Sequence, residues 1–535
     1  MTSIAAPFIL HVLPLLSLLG GTPPAAEREP VRVFLFAGQS NMEGADSKVA
    51  DIERFPPFRG VGEPRKDVRF SYCIGRDNKE RSDGWVPLQP VRDMVGPELS
   101  FARKVTEHVD APIAIIKCAA GGTHLGGDWN PDNPTGFEMY PLALELVRSA
   151  LADLDRQRVP YRIEGFMWHQ GENDMFDEAY MATYGDNLAR FVARWRKDLE
   201  LPDLRFYVGE LCTKTIWGMD LRPRMYAIRS GQRQVTEADP LVDYVPTAHV
   251  GVEIGGGVGL HYHYGTLGQL EHGENYADAY LRTIDALPED PRELARWPYA
   301  DGSEVTLFVL AGHRNMEGER AFVQELKEPL RKDQRGVAFR YDLGDGAKVS
   351  DGWEPLGPAG YYGTFGPGNV AIAKFTHSGS QIIDWTPEGS EAAERTIYPR
   401  FVEFVRTSIA DLEARGHAVT LGGIVYHVGE NDMSFHPYRK AAAERVAALI
   451  AGSRDDLGRP ELLWFVSQQE PTDHDNVNAI DVVADFEALA TADEHTTHVR
   501  AFDLPGREQR LVLKTEGIVA LGRLLADKVI DDQGR

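Results

Sequence analysis

Two kinds of apolar pattern alternate along this chain. Crowded runs of apolar and β-branched residues predict strands at 31–37 ("VRVFLFA"), 113–119 ("IAIIKCA"), 163–169 ("IEGFMWH") and 204–211 ("LRFYVGEL"). Between them apolar residues recur at helical spacing. Leu142, Leu146, Ala150 and Leu154 lie four apart with Val147 and Leu151 beside them, and Leu188, Phe191 and Trp195 mark a stripe across 184–200. Strands alternating with helices of this length predict a parallel sheet covered on both faces, with any ligand outside the carboxyl ends of the strands. Ser40, Gly121, Gly122 and the stretch "HQGEND" at 169–174 each fall just past such an end, so residues distant in sequence are expected to converge there.

The pattern then repeats. "AGQSNMEG" at 37–44 returns as "AGHRNMEG" at 311–318, after the similar apolar run "VTLFVL". Further landmarks follow in the same order: "SDGWVPL" at 82–88 with "SDGWEPL" at 350–356, "GPELSFARK" at 96–104 with "GPGNVAIAK" at 366–374, and "HQGENDM" at 169–175 with "HVGENDM" at 427–433. A weaker pair is "TLGQLEHG" at 266–273 with "TEGIVALG" at 515–522. The chain therefore reads as two tandem copies of one three-layer α/β/α, flavodoxin-like domain, each with a central parallel sheet. The first is placed at 27–290 and the second at 305–535, with the linker at 291–304 inside a stretch rich in Pro and charge.

Composition narrows the possibilities. The 535 residues are 43% hydrophobic and 26% charged, and each half is long enough to bury a core. A net charge of −24 repels nucleic acid and anionic lipid, so neither is expected as a partner. Residues 1–26 carry no Asp, Glu, Lys or Arg, and "FILHVLPLLSLL" is followed by small residues and prolines. That is the pattern of a signal peptide, implying a secreted or periplasmic protein, and the apolar run is too short to span a membrane. Cys73, Cys118 and Cys212 permit at most one disulfide, so the fold does not rest on a disulfide framework.

The repeat also provides an internal control for the chemistry. An arbitrary serine at a strand-to-helix turn is usually an N-cap, and it becomes a nucleophile only with a base to take its proton and a group to orient that base. Ser40 is Arg314 in the second copy, and His263, the best base, aligns with Val512. Joint loss is what two residues acting as a unit would show. A metal site built on His124, His169, His261 and His263 lacks a carboxylate motif to complete it, and His169 has the counterpart His427.

These residues carry a resemblance. "GQSNMEG", "KCAAGGTHL", "WHQGEND" and the His-Tyr-x-x-x-Gly-Gln-x-x-x-Gly pattern at 263–273 resemble the SGNH-type carbohydrate esterases, in the sialate O-acetylesterase and acetylxylan esterase group of carbohydrate esterase family six. The resemblance implies an SGNH hydrolase fold, no cofactor or metal, and an acetylated carbohydrate as substrate. By position it implies Ser40 as nucleophile and His263 as base. It further implies an oxyanion hole from the Ser40 N–H, a backbone N–H at Gly121 or Gly122, and the Asn173 amide. The family's acidic residue three before the histidine is Leu260 here. Some relatives use the Glu of "HQGE", which points to Glu172, with Asp174 and Glu253 as substitutes. Against that, Glu430, Asn431 and Asp432 persist in a copy without Ser or His, which supports a structural role for "GEND" equally well. Gln39, Gln170 and Trp129 are candidates to contact the sugar, as are Trp85 and Trp168, although large aromatics in such domains commonly pack.

Without Ser and His the second copy is expected to fold but not to catalyse, and either to brace the first through an intramolecular contact or to bind sugar. The rival reading of the whole is a non-catalytic carbohydrate-binding protein built from two esterase-like folds.

Overall fold

The computed structural model describes residues 29–533 apart from 78, 214, 217–218, 248–261, 288–296, 329, 345–347, 351, 358–367, 379, 391–396, 430–431, 434–435, 472–478 and 509–511. The expected signal peptide, Glu253, Leu260, His261 and residues 291–296 of the expected linker lie outside the described residues.

In the N-terminal unit the strands Val31–Gly38 (β1), Arg65–Ile74 (β2), Ile113–Ala119 (β3), Tyr161–His169 (β4), Phe206–Gly209 (β5) and Val242–Val245 (β6) form a parallel sheet in the order β2-β3-β1-β4-β5-β6. The short strands 80–81 and 86–88 add antiparallel to β2. Alternation along β1 feeds two cores. Val31, Val33, Leu35 and Ala37 face the helices Met139–Arg156, Tyr184–Asp198 and Arg222–Ala238, while Phe34 and Phe36 face Glu98–His108 and Gly265–Thr283. Phe34 and Phe36 are buried, and each contributes roughly 1.5–3 kcal/mol through the surface it removes from water.

The C-terminal unit repeats this plan. Its strands Glu304–Gly312 (β7), Gln334–Leu343 (β8), Val370–Thr376 (β9), Ala418–Val428 (β10), Trp464–Gln469 (β11) and Thr496–Ala501 (β12) run in the order β8-β9-β7-β10-β11-β12. Even a register slip is shared: β1 slips against β4 between Val33 and Phe34, and β7 against β10 between Leu307 and Phe308.

The units touch where Phe55 meets Phe322, ring centroids 6.1 Å apart, with the Arg320 guanidinium 5.5 Å from the Phe55 centroid. A cavity of about 400 Å³ lies alongside, lined by Phe58 and Lys104 from one unit and Glu317, Glu319 and Phe339 from the other. Among the described residues no helix is long and apolar enough to cross a membrane.

Candidate active site

β1 lies at the centre of its sheet, where the strand order reverses, and its carboxyl end opens between those of β3 and β4. There the chain turns tightly into the short helix Ser40–Glu43. Gly38 makes the turn possible, since a Cβ on it would come within 1.9 Å of the His169 carbonyl oxygen. Gly44, with φ +105°, ends the helix by donating its N–H to the Ser40 carbonyl. Ser40, Gly121, Gly122, Asn173, Tyr262 and His263 line one cleft of about 470 Å³, together with Glu43, Arg76, Asp77 and Arg92. Residues from six separate stretches of chain are thereby brought together.

Hydrogen bonding distinguishes the donors around Ser40. The Gly121 N–H donates to Glu43 Oε2 at 2.9 Å, so it is engaged within the protein. Gly122 adopts φ +74°, and a Cβ on it would lie 2.5 Å from Arg76 Nη1 and 3.9 Å from Asn173 Nδ2. Gly122 thus sits where the Arg76 guanidinium and the Asn173 amide approach the cleft. Asn173 is held by its other end, its Oδ1 accepting from Gln39 Nε2 at 3.3 Å, which leaves its amide N–H groups on the cleft side.

His263 is half-buried, and its Nδ1 lies 2.6 Å from Asp46 Oδ2. The hydrogen bond from His263 holds the Asp46 carboxyl below its usual range against partial burial, with the charges of His263 and Lys48 adding to the effect. Sequence reasoning missed Asp46. A signal existed in the repeat, because its counterpart is Arg320.

Glu172 is placed differently. It is fully buried, Oε1 accepts from Asn41 Nδ2 at 2.5 Å, and His169 Nε2 stands 3.4 Å from the same oxygen. Burial opposes its ionisation, but the bonds from His169 and Asn41 outweigh it and keep the carboxyl below its usual range. Asn41 then grips both residues flanking His263, donating to the Tyr262 carbonyl at 3.1 Å and accepting from the Tyr264 N–H at 3.1 Å. Glu172 therefore reaches the histidine loop through intermediaries: Asn41, and His169, whose Nε2 lies 3.0 Å from the Tyr264 hydroxyl.

Three expected sugar contacts are corrected by burial. Trp129 is 0% exposed, donates Nε1–H to Thr123 Oγ1 at 3.0 Å and packs edge-on against Trp168, itself 0% exposed. Gln39 and Gln170 are also 0% exposed, and Gln170 Nε2 donates to Gln39 Oε1, the Thr123 carbonyl and Asp174 Oδ2. These side chains spend their polar groups inside the protein and brace the floor of the cleft. Trp85 is tied to the Ala150 carbonyl. Asp174 accepts from the N–H groups of Leu125 and Gly126, remote from His263. His124 lies against Asp128 and His169 against Tyr264, each in a separate hydrogen-bonded setting. The three cysteines are free, with Cys73 opposite Cys118 on adjacent strands.

The C-terminal unit keeps the frame and changes its contents. The Leu513 N–H donates to Asn315 Oδ1 as Tyr264 does to Asn41, and the Phe322 N–H donates to Thr515 Oγ1 as Lys48 does to Thr266. These bonds place Arg314, Arg320 and Val512 at the positions of Ser40, Asp46 and His263. Arg314 is 1% exposed, and its Nη1 lies 2.6 Å from both oxygens of Glu319, where the first unit has Ala45. The carboxylate that replaces Ala45 neutralises the cation that replaces Ser40.

Residues 30–282 and 362–531 match the family model described as carbohydrate esterase, sialic acid-specific acetylesterase. A probable carbohydrate esterase of Arabidopsis thaliana is 29% identical over 184 residues, which is 33% of this chain and 66% of that relative, just under two thirds of its length. Among solved structures, a protein from Arabidopsis thaliana is 22% identical, with a TM-score of 0.36 over 47% of this chain and 98% of its own. NanS is 16% identical, with a TM-score of 0.37 over 48% of this chain and 99% of its own.

Proposed function

Because the chain belongs to the sialic acid-specific acetylesterase family of carbohydrate esterases, we propose that its N-terminal unit removes O-acetyl groups from a carbohydrate by a serine–histidine mechanism and that its C-terminal unit has lost this chemistry. The observation that carries the reading is the pairing of Ser40 and His263 in one cleft, set against Arg314 and Val512 in the same hydrogen-bonded frame.

In this mechanism Ser40 Oγ attacks the acetyl carbonyl carbon while His263 Nε2 takes the hydroxyl proton, Nδ1 being committed to Asp46. The oxyanion receives hydrogen bonds from the N–H groups of Ser40 and Gly122 and from the Asn173 amide. Collapse breaks the ester C–O bond, and the sugar oxygen leaves with the proton held by His263. His263 then draws a proton from water, which attacks the acetyl-serine; collapse breaks the Ser40 Oγ–C bond, releases acetate and returns the proton from His263 to Ser40 Oγ.

Arg76 on the wall of the cleft supports an acidic acetylated sugar over a neutral one such as acetylxylan, whereas Arg92 there is paired with Glu43 and Glu80. Arg76 lies 5.3 Å over the Phe137 ring with its side chain 47% exposed, well placed to meet a carboxylate. Its counterpart in the second unit is Asp345. The uncharged apolar start of the sequence supports export of the protein before it acts.

The test is hydrolysis of a chromogenic acetate ester by the full chain. Ser40→Ala and His263→Ala should each lower kcat by roughly a thousandfold or more with thermal stability retained, and their effects should not add. Turnover near the parental rate in either folded variant would remove the serine–histidine assignment, and a parental chain that does not hydrolyse the ester at all would favour a carbohydrate-binding role.

A further inference from the structure

We infer that Asp46, six residues past the nucleophile, is the carboxylate that orients His263. The inference rests on the serine–histidine reading and adds to it the positioning residue that the sequence motifs do not provide. Three independent observations carry it.

The first is contact. Asp46 Oδ2 stands 2.6 Å from His263 Nδ1, within charge-assisted hydrogen-bond range, which fixes the proton on Nδ1 and leaves Nε2 as the nitrogen for the cleft that Ser40 also lines. The second is backbone conformation. Asp46 takes φ +60°, a left-handed value that side chains with a Cβ rarely adopt, and Arg320 at the equivalent position does not adopt it. The turn in the first unit thus has a left-handed step that the second lacks, and the residue at that step is the one whose carboxylate meets the histidine loop. The third is the repeat itself. Serine, aspartate and histidine at positions 40, 46 and 263 become arginine, arginine and valine at 314, 320 and 512, whereas the glutamate of "GEND" is present in both copies as Glu172 and Glu430.

The division of labour follows. Glu172 fixes Asn41, Asn41 fixes the backbone on both sides of His263, and Asp46 fixes the imidazole itself. In the second copy Asn315 still anchors the equivalent loop by accepting from the Leu513 N–H, while its amide donates to Gln469 Oε1. The aspartate serves only the imidazole, and it goes when the imidazole goes. The Asp46 side chain is 79% exposed, so its effect is weaker than that of a buried triad aspartate. The charged and titratable groups facing His263 are Asp46 with Lys48 beside it, Tyr262 from the adjoining loop position, and Glu43, Arg76, Asp77 and Arg92 across the cleft.

The experiment compares full-chain Asp46→Asn, Asp46→Glu, Glu172→Gln, Ser40→Ala and His263→Ala on a chromogenic acetate ester, each with a pH profile and a thermal melt. Asp46→Asn should lower kcat/KM roughly ten- to a hundredfold with KM little changed. It should also move the acid limb of the profile to lower pH, because imidazolium loses its counter-charge, and leave the melting temperature unchanged. Asp46→Glu should restore part of the rate. Glu172→Gln should lower the melting temperature and leave the acid limb in place. If Asp46→Asn keeps the parental rate and profile while Ser40→Ala and His263→Ala are inactive, Asp46 has no positioning role. An acid limb moved by Glu172→Gln instead would assign the role to Glu172. Activity surviving in Ser40→Ala would overturn the serine–histidine reading itself, whatever Asp46 does.

Discussion

Replacing Glu319 with Gln should destabilise the C-terminal unit far more than a surface substitution would. Arg314 and Glu319 are both about 1% exposed at their side chains, and a guanidinium cannot shed its charge at any accessible pH. Glu319→Gln keeps the shape and leaves that cation facing an amide. Removing one partner of a buried ion pair costs about 3–5 kcal/mol, because the remaining charge has left water without compensation. For a unit of this size each kcal/mol moves the midpoint by roughly 2–4 °C, so a fall of roughly 10 °C is expected for the C-terminal transition in calorimetry. Hydrogen exchange localises the loss. Amides of β7, β9 and β10 that exchange by global opening of the unit should do so roughly a hundredfold faster or more, while β1, β3 and β4 are unaffected. Esterase activity on a small acetate should be retained. Exchanging both partners, Arg314→Met with Glu319→Gln, should recover much of the loss, as buried pairs replaced by apolar groups of similar volume often do. A Glu319→Gln variant with parental protection in β7 would refute the reasoning, since the pair would then carry no buried charge to compensate.

Arg76→Ala should raise KM several-fold for an acetylated sugar that bears a carboxylate, with kcat on a neutral chromogenic acetate nearly unchanged; equal effects on both substrates would deny Arg76 a part in recognition. Glu317 gives a pH dependence, because burial of its carboxyl and the neighbouring Glu319 push its pKa from 4.5 up to about 7. The native state therefore holds a proton that the unfolded chain releases, and stability of the C-terminal unit should decline between pH 4.5 and about 7, a slope that Glu317→Gln should flatten in melting curves.

Periodicity carried most of the fold. The strand expected at 113–119 has those bounds, and the helices expected around Leu142–Leu154 and across 184–200 occupy Met139–Arg156 and Tyr184–Asp198. The pattern over-extended β5, expected at 204–211, because Glu210 turns away to pair with buried Arg229 at 2.8 Å. It missed β2, whose opening "RKD" is charged where the strand borders the short antiparallel strands, and β6, which at four residues is too short to show a period. At the site, contrast between copies led to the two residues now found lining one cleft. The same contrast at positions 46 and 320 was equally legible, but no motif directed attention there. What sequence could not reveal is where a polar side chain spends its hydrogen bonds. Gln39, Gln170 and Trp129 sit beside motif residues and look available, yet each is sealed into the floor, the two glutamines by partners remote in the chain and Trp129 by Thr123 and the ring of Trp168.

If the second copy is a decayed esterase, as proposed, the contact between the units bears on whether it could regain that chemistry. Arg320, which stands where the first unit keeps Asp46, lies over Phe55 of the other half, and the turn equivalent to that of Ser40 opens onto the cavity between the two. A reversion to aspartate there would exchange an attractive cation–ring contact for a carboxylate facing the same aromatic surface. On the proposed reading, that one step would loosen the joint before any chemistry returned. The joint would then act as a ratchet, holding Arg320 in a contact that aspartate cannot make.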